Sequence, residues 1–121
     1  MKRFYTLLLT LVASAALFAQ GWPASYSGVM LQGFYWDSYG DTQWSRLKSQ
    51  ADTLSKYYQL IWVPQSGYCN TLENQMGYAD IWWFDQKSAF GTADELKAMI
   101  QTFSSKGLKT IADVVINHKS G

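Results

Sequence analysis

The chain has 121 residues, 48% hydrophobic, 17% aromatic and 16% charged, which suits one ordinary globular domain and excludes a disordered or collagen-like chain. Its formal net charge is +1; without Lys2 and Arg3 it is −1, with eight basic against nine acidic residues. That balance lacks the electrostatic footprint of a nucleic-acid or anionic-membrane binder.

Lys2 and Arg3 begin a three-part pattern that continues with an apolar run over residues 7–18 and ends on the small Ala19. This predicts a signal peptide over residues 1–20, cleaved after Ala19 or Gln20, and a mature domain over residues 21–121. The run is shorter than the roughly 20 apolar residues a bilayer span requires. No cysteine sits near the cleavage point, so a lipid anchor is not expected. The mature protein is therefore expected to be secreted or periplasmic, with no membrane partner after cleavage.

"GVMLQGF" (28–34) reads as a strand and "YWDSYGD" as a loop, with Asp41 placed to cap a helix. The apolar positions Trp44, Leu47, Ala51, Leu54 and Tyr58 recur at helical spacing and predict one helix. "QLIWVP" (59–64) is a second strand, closed by Pro64, and residues 65–91 read as a long loop. Thr92 with Glu95 forms a capping box, opening a helix whose apolar stripe is Leu96, Met99, Ile100 and Phe103. Gly107 stands where a C-terminal cap glycine belongs. Residues 108–116 then read as a third strand, apolar enough to be buried on both faces.

Strands joined by helices are parallel, with right-handed crossovers. The fold class is α/β, either a β/α barrel or a doubly wound sheet. "GFYWD" lacks the glycine spacing of a phosphate loop, which weakens the dinucleotide-binding version. In both architectures ligands bind where the strands end. Those ends carry Tyr35, Trp36 and Asp37, the aromatic-rich 65–91 segment, and the pair Asn117–His118.

His118, the chain's only histidine, suits a structural hydrogen bond or contact with a substrate hydroxyl; zinc would need further ligands that the composition lacks. Asn117 offers a hard carbonyl oxygen of the kind calcium accepts, or a tie for a loop. Asp113 shares strand parity with Val115 and Asn117, and a buried carboxylate needs a partner. The only arginine outside the signal peptide, Arg46, lies on the outer helix, so that partner is expected either from a lysine or from sequence beyond residue 121. Tyr78, with Trp82, Trp83 and Phe84, could pack the loop or stack on a sugar. Asp37, Asp80 and Asp85 read as loop carboxylates in solvent, and Cys69 as a buried small hydrophobe or a stray thiol.

"DVVINH" (113–118) resembles the first signature region of the α-amylase family, glycoside hydrolase family thirteen. "GVMLQGFYWD", "LIWVPQSGY" and "MGY…FD…FGTADELKAMI" resemble that family's first strand, second strand and following segment, in order and spacing, over residues 27–121. Ala79–Asp80, where relatives often carry a proline, and Phe90 in place of tyrosine depart from the pattern. The resemblance implies the N-terminal portion, about three βα units, of a TIM (β/α)8 barrel that is incomplete in this chain. It implies a secreted, calcium-dependent α-amylase that hydrolyses α-1,4 bonds in starch or glycogen with retention, acting as a monomer on an α-glucan. In its terms Tyr78 stacks on the sugar at the scissile bond and His118 donates to it. Asn117 ligates a structural calcium, and Asp113 orients an arginine of the next catalytic strand. It assigns no catalytic acid or nucleophile to this chain, because those lie on later strands, and the chain alone is expected to be inactive. The competing expectation is a non-catalytic α-glucan-binding module, self-sufficient in fold.

Overall fold

Three parallel strands form the central sheet: β1 (Met30–Gln32), β2 (Leu60–Val63) and β5 (Lys109–Ala112), in the order β1-β2-β5. The computed structural model describes residues 25–71 and 75–120; the signal peptide assigned to residues 1–20 lies outside them. Met30 pairs with Leu60, and Ile61 with Thr110, so β2 is the inner strand. Its Leu60, Ile61 and Val63 are accordingly buried. Among the described residues, no helix is long and apolar enough to cross a membrane.

The first crossover is two short helices, α1 (Trp44–Ser49) and α2 (Ala51–Leu54), rather than the single predicted helix. The break falls at Gln50, whose backbone sits at φ −90, ψ −2 and whose N–H is shared between the carbonyls of Leu47 and Lys48. The apolar period survives the break, because Trp44, Leu47 and Ala51 are all buried. Asp41 does not cap α1. The Trp44 N–H instead donates to the Phe90 carbonyl at 2.9 Å, so a segment distant in sequence satisfies the helix start. Asp41 accepts the Tyr35 hydroxyl at 2.7 Å and faces Arg46 at 3.4 Å.

The second crossover helix, α3 (Ala93–Ser105), forms as its capping box predicts. The Thr92 N–H donates to Glu95 Oε2 at 2.8 Å, and the Glu95 N–H to Thr92 Oγ1 at 3.3 Å. At the far end Gly107 takes φ +78, which a side chain would resist. Its N–H reaches the Ser104 carbonyl, and the Leu108 N–H reaches that of Phe103. This is a Schellman closure, with Leu108 and Phe103 both in the core. The helices cover one face of the sheet through Trp44, Leu47, Met99 and Phe103, with Phe90 against Trp44 at 5.4 Å between ring centroids.

Two further expectations need correction. The 65–91 segment is not one loop: β3 (Tyr68–Cys69) and β4 (Asp80–Trp82) pair antiparallel, with a bulge between Tyr68 and Cys69. The third strand stops at Ala112 rather than Ile116. The Asp113 N–H still reaches the Val63 carbonyl at 3.2 Å, but β2 then turns away at Pro64 and offers no further partner. Past that point the chain is not buried on both faces, since Val114 is 65% and Ile116 77% exposed.

Candidate functional site

The C-terminal ends of the parallel strands bring together residues that lie far apart in the chain. Asp113 follows β5 directly, and Tyr78 precedes β4 after Gly77, whose φ of +93 sets the turn. The Tyr78 hydroxyl donates to Asp113 Oδ2 at 2.6 Å. Within this chain the carboxylate therefore has a partner that the sequence reading did not consider, a phenol 35 residues earlier. Burial, and then the adjacent carboxylate, raise the Tyr78 pKa well above its ordinary value, so the phenol stays a donor.

His118 reaches the same tyrosine from another side. Its Nε2 lies 2.8 Å from the Tyr78 carbonyl. A carbonyl only accepts, so Nε2 carries the proton and donates. In the tautomer with the proton on Nε2, Nδ1 keeps a lone pair that can accept from a hydroxyl. Asn117 is exposed and makes no hydrogen bond among the described residues. Tyr78, Asp113 and His118 thus form one hydrogen-bonded group, with Asn117 adjoining it in sequence only.

Asp80 is not a solvent carboxylate. It is 1% exposed, with one oxygen accepting the Gln65 amide and Oδ2 without a partner among the described residues. Burial raises its pKa, offset in part by the Gln65 bond. Asp37 and Asp85 are exposed as expected. Gln65, which sequence reasoning passed over, also donates to the Gly77 carbonyl at 3.0 Å and accepts the Gly67 N–H. It therefore ties the end of β2 to the turn that carries Tyr78. Gln65, Asp80, Trp83, Gln86, Asp113 and Val115 border a cavity of about 200 Å³ beside this group.

Two further contacts escaped the sequence reading. Trp36 lies parallel to Tyr78, with ring centroids 6.1 Å apart and planes within 6°. Lys119 holds its ammonium 4.6 Å from the Trp82 ring and 5.4 Å from Trp83, and the Ser120 N–H donates to the Asp80 carbonyl at 2.6 Å. The segment after β5 is so laid against the hairpin. Cys69 is a free thiol, buried, and burial raises its pKa; it is the small hydrophobe of the two readings.

A calcium cage takes six to eight oxygens. Asn117 supplies one neutral oxygen, and no cluster of three or more His, Cys, Asp or Glu side chains placed to hold a metal occurs among the described residues. These residues do not by themselves build such a cage.

Parallel strands joined by helices, with the polar and aromatic groups gathered at one rim, define a β/α-type fold with a strand-end site. A family model described as "Alpha amylase, catalytic domain" matches residues 59–121, just over half of the chain, and the chain belongs to this family of glycoside hydrolases. It is 31% identical to an alpha-amylase of Bacillus licheniformis over 99% of its own length and 26% of the relative's. It is 33% identical to a glucan 1,4-alpha-maltohexaosidase of a Bacillus species over 78% of its length and 20% of the relative's. The chain thus spans between a fifth and about a quarter of these relatives. Its fold is similar to that of a variant alpha-amylase I of Eisenia fetida solved with maltohexaose, with a TM-score of 0.60 and 20% identity over 84% of this chain and 21% of that one. The architecture is the opening part of the TIM barrel of these amylases, with a parallel sheet and, among the described residues, no closed barrel.

Proposed function

We propose that this chain contributes the first strand-end residues of the substrate face of a secreted, calcium-dependent α-amylase, which hydrolyses internal α-1,4 bonds of starch or glycogen with retention. The single observation that carries this reading is the convergence of Tyr78, Asp113 and His118 at the strand ends. A phenol ring held by a carboxylate presents a fixed apolar surface to the C–H face of a sugar. The lone pair on His118 Nδ1 can accept a hydrogen bond from a sugar hydroxyl. If the ring turns from the Tyr78 carbonyl, its N–H becomes the donor that the resemblance implies.

Retaining hydrolysis needs two carboxyl groups about 5–5.5 Å apart, one nucleophile and one acid/base. The resemblance assigns neither to residues of this chain, so its role here is to bind and orient. Purified as the 121-residue chain, it is expected to release no reducing ends from soluble starch; measurable release above a boiled control overturns this assignment. Calcium enters the reading through Asn117 alone, whose carboxamide would contribute one ligand. Added calcium or a chelator is therefore expected to leave the melting temperature of this chain unchanged, and a shift of several degrees would show a cage that Asn117 does not account for. Secretion is tested by N-terminal sequencing of the exported protein, with new ends expected at Gln20 or Gly21.

A further inference from the structure

We propose that Trp36 is a sugar-stacking residue of this chain: its exposed indole face receives a glucose unit of an α-glucan, and Tyr78, held by Asp113, is the ring behind it. This rests on the α-glucan reading above. Trp36 is 64% exposed at the strand-end rim, while Tyr78 is only half-exposed and lies parallel to it. Of the two stacked rings, the outer one open to solvent is therefore Trp36.

An exposed tryptophan on a loose loop would carry little meaning, but this turn is built. The Tyr35 N–H donates to Ser38 Oγ at 3.1 Å, and the buried Ser38 and Thr42 hydroxyls lie 3.0 Å apart. The Tyr35 hydroxyl is anchored on Asp41. Asp37, directly after Trp36, is the one non-glycine residue at positive φ among the described residues, at φ 66, ψ 14. A residue held there costs conformational energy, and such strain persists where the surrounding structure enforces it, commonly beside binding surfaces. The result is a large apolar ring that points outward from a pinned turn. It needs little further ordering when a ligand arrives, which lowers the cost of binding.

The occupant follows from the surface. A flat, exposed indole stacked on a second ring suits a ligand with an apolar face and a rim of hydroxyls, which is the form of a pyranose ring.

The test is calorimetric or saturation-transfer titration of the full chain with maltohexaose. Trp36→Ala is expected to weaken binding about five- to tenfold, and Trp36→Phe to recover affinity to within about threefold of the parent. Both variants should unfold at the parent's temperature, because the side chain is largely in solvent. Equal affinity of Trp36→Ala and the parent overturns the proposal and leaves the α-glucan reading standing. A loss that Trp36→Phe does not recover also overturns it, since a flat ring is then not what the site requires. No binding by the parent chain overturns the α-glucan reading itself, and this inference with it.

Discussion

Tyr78 is the residue on which the site turns, because its hydroxyl, its ring and its carbonyl each hold a different neighbour. Tyr78→Phe keeps the ring and removes the donor, leaving a half-buried carboxylate at Asp113 without its phenol. The expected loss is about 1–2 kcal/mol in a urea titration, and Asp113→Asn should recover part of it in the double variant. The pH dependence has a definite sign. The pKa of Tyr78 is raised on folding, so its contribution is fully present below the ordinary tyrosine value near 10 and is lost as pH rises beyond it. Absorbance titration should show Tyr78 among the late-ionising tyrosines, with Tyr35, whose bond to Asp41 also raises its pKa, and Asp113→Asn should bring Tyr78 alone back towards the rest. The Tyr78–Asp113 pair was not legible in the sequence. Asp113 was recognised as needing a partner, but the search went to cations, and a neutral phenol 35 residues away carries no charge signal.

At the scale of elements, legibility followed the locality of the interactions. The start of α3 was readable because Thr92 and Glu95 satisfy each other within four residues, and its end because Gly107 needs only its own backbone. The start of α1 was misassigned because its N–H partner, the Phe90 carbonyl, comes from 46 positions on. The β3–β4 hairpin was missed for a similar reason, since strands of two and three residues give no period to read and depend on cross-strand partners. The capping box makes its own prediction. Thr92→Ala should cost about 1 kcal/mol, read as a lower urea midpoint. The Glu95 carboxyl is held below its usual pKa by the Thr92 backbone and hydroxyl. Its contribution is therefore present above the ordinary glutamate value near 4.3 and fades as pH falls through that range. Glu95→Gln should flatten this acid-side loss.

For the molecule as a whole, the sheet divides into a well-covered face and an open continuation. Phe103 is fully buried between α3 and the sheet, and Phe103→Ala should cost about 3–5 kcal/mol, a large part of the stability of a domain this small. Ile116→Ser should stay within about 0.5 kcal/mol, although the residue reads as core by sequence. The pair of measurements tests where the core ends. The run over 108–116 looked like a strand buried on both sides because its composition is that of an inner barrel strand. In this sheet β5 pairs on one side only, with β2. Composition reports the burial a segment is suited to, and pairing decides what it receives.

Gln65 carries a consequence for how such a rim can diversify. One amide side chain joins the end of β2, the Gly77 turn and the buried Asp80, so these three parts of the rim share a fastening. A loop transplanted from a relative at residues 66–79 would arrive with its own Tyr78 equivalent but without that fastening. Compatible exchange requires positions 65 and 80 to travel with the loop. The unit of inheritance at this rim is therefore the loop together with its anchors.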